Sequence, residues 1–180
     1  MLTIIIPEQE NYDEATQKFV IAPSVTVQIE HSLASLSKWE GIWEKPFLSD
    51  VPKTSKEAGS YIECMVVNTI PEGTMSRLTS SDKSKISKHI EAKMTATWFS
   101  NIANRPPSRE IITAEIIYFW LVTLTIPFDP CQDWHLNRLL ALVKTCNLKN
   151  APPKKMNTSD AMARQRELNA QRQAQLQTKG

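Results

Sequence analysis

Glycine is scarce in this 180-residue chain, which contains only four glycines. They stand at positions 41, 59, 73 and 180, too far apart to form the phosphate-binding loop of a P-loop or a dinucleotide-binding fold. The Gly-x-Ser-x-Gly and His-Glu-x-x-His motifs of hydrolases and metalloproteases are absent as well. Because few enzymes have so little glycine near a ligand site, the sequence predicts a protein that is not an enzyme, with no catalytic residues and no cofactor.

Cysteine, net charge and long apolar runs are also limited. Three cysteines, an odd number in a chain long enough to bury a core, argue against a disulfide framework and for a reducing compartment. Twenty-one basic and nineteen acidic residues give a net charge of +2, which excludes a strong field that would attract nucleic acid. Pro7 interrupts the apolar N-terminal run, and the apolar stretch 116–128 is too short to span a bilayer. We therefore expect a cytoplasmic protein without a signal peptide or membrane segment.

Residues 1–30 have the pattern of β-structure. Leu2–Ile6 is an apolar and largely β-branched run, and two further runs, 18–21 and Val25–Ile29, flank a turn. The last run alternates apolar and polar residues, which is typical of a half-buried strand. The acidic segment 8–14 is expected to be a loop. These features predict a small N-terminal antiparallel β-sheet or hairpin, and helices are needed to cover its apolar face.

Residues 31–150 have helical periodicity instead, so the predicted fold class is α+β with a mainly α-helical body. Capping signals and prolines separate five predicted helices. These are a helix with the stripe Leu33, Leu36, Trp39 and Trp43 that ends before Pro46; a helix opened by the capping box of Thr54 and Glu57; a helix from Thr79 to about Phe99; a helix from about Ser108 to Ile126; and a helix that begins at Asp129-Pro130 and carries Leu136, Leu139, Leu140, Val143 and Cys146 on one face.

The predicted core takes large apolar residues from four of these helices. All five tryptophans fall on the predicted apolar stripes, which favours core packing for them, although an interface role for one or two stays open. The core residues we expect are Leu36, Trp39, Ile90, Trp98, Trp120, Leu136, Leu139 and Val143.

The composition changes at Asn150, which divides a globular domain, 1–150, from a tail, 151–180. The tail has six basic and two acidic residues, a net charge of +4, so that 1–150 carries −2. Two prolines, 152 and 153, stand near its start, and the rest favours helix without a continuous apolar face. We therefore expect a polar helix that becomes ordered on a partner. Its few charges favour a protein partner over nucleic acid. The candidate partner-binding residues are Lys154, Lys155, Arg164, Arg166 and Arg172.

One spacing of cysteine and histidine resembles a metal site. On a helix Cys131 and His135 would share a face, and Cys146 and Cys64 could complete a zinc site. Cys146, however, continues the apolar stripe of its helix, and cysteine is among the most buried residue types. The sequence therefore favours buried structural cysteines and predicts no bound metal.

The histidines have structural interpretations too. His135 lies close to Cys131 and Asp133, but neighbours on a helix rarely point together, so a catalytic role is disfavoured. We expect His135 to form a hydrogen bond that orients the start of its helix. His31 and His89 lie among polar residues and are expected to be solvated.

Several stretches of the sequence resemble one known family. They are SLSKWE (35–40), EKPFL (44–48), MTATWF (94–99), IPF (126–128), WHLNRLL (134–140) and PPKKM (152–156). Together they resemble a family of tailed-bacteriophage proteins from the tail-assembly region of siphophage genomes, and the resemblance extends from the N-terminal strands to the last residues.

The resemblance implies a tail-assembly chaperone, which keeps the tape-measure protein soluble and recruits tail-tube subunits in the host cytoplasm. It implies no catalytic residues. Two alternatives stay open: a virion structural protein, such as a head–tail connector or tail subunit in an oligomeric ring, and a nucleic-acid-binding regulator that uses the basic tail.

Overall fold

The computed structural model describes residues 1–13, 17–99, 111–151 and 158–176. The chain divides into two compact units, Met1–Cys146 and Asn147–Gly180. The first unit contains strands followed by helices, which confirms the predicted α+β class. Within the part of the chain described here, no helix is both long and apolar enough to cross a membrane.

The named strands form two antiparallel pairs, and the strands of one pair lie between those of the other along the chain. β1 (Leu2–Ile6) pairs with β4 (Val25–Ile29), and β2 (Gln9–Asp13) pairs with β3 (Lys18–Ala22). The prediction of a loop at 8–14 was therefore wrong. β2 lacks the apolar alternation that is typical of a strand. Its strand conformation is stabilised by its pairing with β3 instead.

Capping boxes mark the start of three helices. Their N-caps are Ser32, Thr54 and Thr79, and the box at Thr54 was predicted. The helices are α1 (Leu33–Trp43), α2 (Ser55–Cys64), α3 (Ser80–Glu91), α4 (Ala114–Thr123), α5 (Phe128–Cys131), α6 (Leu136–Asn150) and α7 (Thr158–Leu176), with a 3-10 turn at Thr74–Arg77.

α3 ends at Glu91, about eight residues before the predicted end at Phe99. The backbone leaves the helix at Ala92, and the side-chain amide of Asn137 donates hydrogen bonds to the carbonyls of Ile90 and Ala92, at 3.1 and 2.9 Å. A residue distant in sequence thus satisfies the carbonyl groups at the helix end.

The helix predicted from Asp129-Pro130 is two helices, α5 and α6. The chain between them pairs with the segment before α1: His135 forms a β-bridge with Ser32, and the Leu136 N–H donates to the His31 carbonyl at 2.7 Å. Backbone groups used in this pairing cannot continue a helix. α4 begins at Ala114, and the predicted start near residue 108 lies outside the described residues.

Two apolar clusters form the interior of the first unit, and α1 contributes to both. The first cluster consists of Leu33, Leu36, Ala114, Ile117, Leu121, Cys131, Leu136, Leu139 and Val143. The second consists of Ile4, Ile6, Val27, Ile29, Trp39, Tyr61, Met65 and Ile86.

Five of the eight predicted core residues are buried, namely Leu36, Trp39, Leu136, Leu139 and Val143. Ile90 and Trp120 are partly buried against the clusters. Trp98 was predicted wrongly, because it lies beyond the end of α3 and is 83% exposed.

Candidate functional site

All three histidines of the chain meet inside the first unit, beside Glu30. Glu30 and His31 follow β4, His89 lies in the last turn of α3, and His135 directly precedes α6. We refer to Glu30, His31, His89 and His135 as the histidine cluster. The predicted solvation of His31 and His89 was wrong: His31 is 3% exposed and the side chain of His89 is 10% exposed.

Glu30 is the only carboxylate of this cluster, and its two oxygens have different partners. Oε1 lies 2.9 Å from Nε2 of His89 and accepts a hydrogen bond from the His31 N–H at 3.1 Å. Oε2 forms an ion pair with the amine of Met1. The carboxylate thus connects the end of β4 to α3 and to the start of β1.

His135 uses both ring nitrogens. Its Nε2–H donates to the carbonyl of His89 at 2.8 Å, and its Nδ1 accepts the Asn137 N–H at 3.2 Å. One donor and one acceptor describe a neutral imidazole. Since Asn137 lies in the first turn of α6, the prediction that His135 orients the start of its helix is confirmed.

His31 connects the cluster to α2. Its Nδ1 lies 2.5 Å from the hydroxyl oxygen of Tyr61, and its ring meets that of His135 edge to face at 5.2 Å. Burial raises the pKa of Tyr61, so the phenol keeps its proton and can serve as the donor of the hydrogen bond to His31.

Burial also determines the charge of the cluster. It lowers the pKa of His31 to about 4, an effect that the nearby His135 and His89 strengthen, and it lowers the pKa of His135. For Glu30, burial acts to raise the pKa, but the Met1 amine and His89 outweigh it and the net pKa is lowered. At neutral pH the cluster therefore holds an ionised Glu30 beside neutral His31 and His135 side chains.

The cysteines of the predicted metal pattern are not gathered around His135. Cys131 is packed in the first apolar cluster, and Cys64 packs against the second. Among the described residues, the ligand atoms that do converge are those of Glu30, His89 and His135, which lie within 4.8 Å of one another. Of these three, the sequence pointed only to His135 as a candidate metal ligand, because no local spacing links residues 30, 89 and 135.

A second feature is an exposed apolar face on the β2–β3 hairpin. Tyr12 lies opposite Phe19 in the register, and Glu10 lies opposite Ile21, so these four side chains share one face. The rings of Tyr12 and Phe19 are 5.1 Å apart, and Phe19 is 67% exposed. None of the four belongs to either apolar cluster. We refer to Glu10, Tyr12, Phe19 and Ile21 as the hairpin face.

The predicted partner-binding tail contains α7. Arg164, Arg166 and Arg172 lie on this helix, and Arg166 and Arg172 are exposed. Met162 and Leu168 are exposed as well, so these two apolar side chains of α7 are open to contact. Lys154 and Lys155 lie outside the described residues.

A shallow pocket beside α2 contains charged groups that are engaged in structural contacts. Trp39, Lys45, Lys53 and Glu57 are among its lining residues. Lys45 Nζ lies 2.6 Å from Glu57 Oε1, and Lys53 Nζ donates to the carbonyl of Ser49 at 3.3 Å. Glu57 also completes the capping box of α2.

Comparison with protein-family models, curated proteins and solved structures finds no match to this chain. The resemblance to phage tail proteins therefore stays a prediction. The histidine cluster, the hairpin face and α7 are the features on which a functional proposal rests.

Proposed function

We propose that this protein is a non-enzymatic phage morphogenesis protein. Its proposed role is that of a tail-assembly chaperone, which binds the tape-measure protein and tail-tube subunits in the host cytoplasm. The resemblance of the sequence to phage tail proteins is the reason for proposing a phage protein. The structural observation that carries the proposal is the hairpin face, because it offers apolar contact area to a client.

The hairpin face suits a helical client with an apolar stripe. An isolated two-stranded hairpin is marginally stable, and covering its apolar side chains removes them from water. Tyr and Phe are enriched at protein interfaces, and Tyr12 and Phe19 form an aromatic pair on this face. A tape-measure protein, as a long helical client, presents such stripes at the spacing that helix-binding surfaces recognise.

α7 supports the same role. Its 19 residues favour helix but have little apolar surface, so the helix depends on a partner for much of its stability. Exposed Arg166 and Arg172 add positive charge that can pair with acidic groups on a client. Because α7 becomes ordered on binding, the same segment can bind different clients during assembly.

The contacts of Glu57 and His135 favour binding over catalysis. Glu57 and Lys45 pair with each other, and both ring nitrogens of His135 are used by the backbone. A general acid or base has to reach a substrate proton within hydrogen-bonding distance. Side chains that bind backbone groups at helix ends in this way contribute to folding.

The test is co-expression of the full chain with the tape-measure protein of the same phage. We expect the client to be soluble and to co-purify with the wild-type chain. The double variant Tyr12→Ser and Phe19→Ser should fold but lose this effect, whereas Val67→Ser, a matched change at another exposed side chain, should retain it. A client that stays insoluble with the wild-type chain would contradict the proposal.

Mass spectrometry of purified virions separates the alternatives. A chaperone is absent from the finished particle, whereas a connector or tail subunit is present in a fixed copy number. A regulator would instead retard DNA, and this binding would weaken steeply as salt is added.

A further inference from the structure

We propose that Glu30, His89 and His135 form a zinc-binding site that joins the end of β4, the end of α3 and the start of α6. Two imidazole nitrogens and one carboxylate oxygen are an established ligand set for zinc. Here these atoms lie within 4.8 Å of one another and come from three separate elements. The proposal is independent of the tail-assembly role.

One pair of ligand atoms is already close to the separation that the ion requires, and all three ligand atoms lie within 4.8 Å of one another. Zinc binds nitrogen and oxygen at about 2.0–2.2 Å, so two ligand atoms in a tetrahedral site are about 3.3 Å apart. Glu30 Oε1 and His89 Nε2 are 2.9 Å apart and share a hydrogen bond. An ion that replaces the shared proton has to widen this separation by only a few tenths of an ångström.

The surroundings of His135 already contain the type of contact that supports a metal ligand. A zinc-bound histidine typically donates its other ring N–H to a carboxylate or a backbone carbonyl, which fixes the orientation of the ring. The Nε2–H of His135 makes this bond to the carbonyl of His89 at 2.8 Å. Binding through Nδ1 would require the Asn137 N–H to give up its longer 3.2 Å bond to this nitrogen.

The chemistry of the ligands selects among divalent ions. Mg²⁺ and Ca²⁺ prefer sites made entirely of oxygen, whereas imidazole suits Zn²⁺ and neighbouring transition metals. A water molecule can be the fourth ligand, because the second oxygen of Glu30 pairs with the amine of Met1. The ion would connect residues 30, 89 and 135 directly, so its binding free energy stabilises the folded chain.

The experiment uses the full, tag-free chain after treatment with a chelator. We expect one zinc per chain, a higher thermal midpoint with Zn²⁺ or Co²⁺, and no change with Mg²⁺ or Ca²⁺. The Co²⁺ complex should absorb in the visible range without the near-ultraviolet charge-transfer band of a thiolate ligand. Less than stoichiometric zinc, or a thiolate band, would overturn the proposal without any variant being needed.

Variants then assign the ligands. His89→Gln and Glu30→Gln retain a hydrogen-bonding group and should each weaken zinc binding more than about 100-fold, since loss of a second-shell partner alone costs up to about that much. Circular dichroism in chelator checks that each variant is folded. The control replaces Cys64, Cys131 and Cys146 by Ser and should bind zinc as the wild type does. Unchanged binding in both Gln variants, or lost binding in the cysteine control, would place zinc elsewhere and refute the site.

Discussion

At the scale of single residues, Trp39 makes polar and apolar contacts at once. Its side chain is 1% exposed, and the indole N–H donates to the carbonyl of Glu57 at 2.9 Å. Its ring meets that of Phe47 edge to face, with centroids 5.0 Å apart. Replacing Trp39 by alanine therefore removes packing between α1 and α2 and leaves the carbonyl of Glu57 without its hydrogen-bond donor.

The first prediction compares Trp39→Ala with Trp98→Ala. Loss of the buried ring should lower the free energy of unfolding by about 3–5 kcal/mol, because large aromatic truncations leave cavities. Trp98 is mostly exposed, so its replacement should change the free energy by less than about 0.5 kcal/mol. Urea unfolding measures both. Equal losses at the two positions would contradict the burial pattern.

Glu57 shows how one carboxylate can serve several elements. Its Oε1 pairs with Lys45, and its Oε2 accepts hydrogen bonds from the backbone N–H and the hydroxyl of Thr54, at 2.7 and 2.9 Å. The bond from Lys45 is the largest cause of a pKa lowered to about 2, followed by the bonds from Thr54.

The second prediction is a pH dependence that follows from Glu57. A carboxylate with a lowered pKa binds fewer protons in the folded chain than in the unfolded chain. Its contribution to the free energy of unfolding is therefore complete above pH 4.5 and is lost as pH falls from 4.5 towards 2. Glu57→Gln should reduce the acid-induced fall in thermal midpoint. Glu63→Gln, an exposed change on the same helix, should not. Identical pH profiles for Glu57→Gln and the wild type would exclude this role.

At the scale of elements, capping boxes define where α1, α2 and α3 begin. Each box satisfies backbone N–H groups that the first turn leaves without a partner. In α3, the Thr79 hydroxyl accepts the Asp82 N–H at 3.2 Å, and Asp82 Oδ2 accepts bonds from both the hydroxyl and the N–H of Thr79.

The third prediction concerns this box. Thr79→Ala should cost about 1 kcal/mol of unfolding free energy, the usual effect of removing an N-cap side chain. Ser81→Ala changes an exposed residue two positions further along and should be neutral or slightly stabilising, because alanine favours helix. Chemical denaturation of both variants makes the comparison. A neutral Thr79→Ala would show that tertiary packing alone positions α3.

Helix ends and strand partners were harder to predict than helix starts. The capping signal of α2 lies within four residues of sequence, so it was visible in the sequence. α3 ends where Asn137, 45 to 47 residues away, binds its last carbonyls, and β2 is ordered by pairing with β3. Neither Asn137 nor β3 produces a sequence signal near the residues that it orders.

At the scale of the whole molecule, the residues that form the two cores lie before the tail. Val143 is the last residue of the first apolar cluster, and the second cluster ends in sequence at Ile86. The first compact unit ends at Cys146, within α6. A chain cut after Asn150 therefore retains every residue of both clusters and the whole of α6.

The fourth prediction is that truncation after Asn150 leaves the body folded but abolishes the proposed role in assembly. The thermal midpoint should change by no more than a few degrees, the effect of less than about 1 kcal/mol in a domain of this size. Complementation of tail formation should fail, because α7 and the basic residues of the tail are removed. Collapse of the truncated body would make the tail part of the core, and normal tails would make it dispensable.

Local features of the sequence determined the α+β class, the strand β4, the capping box at Thr54 and the helical tendency of the tail. These depend on side-chain period, capping and propensity within a few neighbouring residues. Only the tertiary structure established the pairing of β1 with β4, the exposure of Trp98 and the histidine cluster. Residues 30, 89 and 135 become neighbours because three elements pack together, and such contacts between distant segments leave no periodic or spacing signal in a single chain.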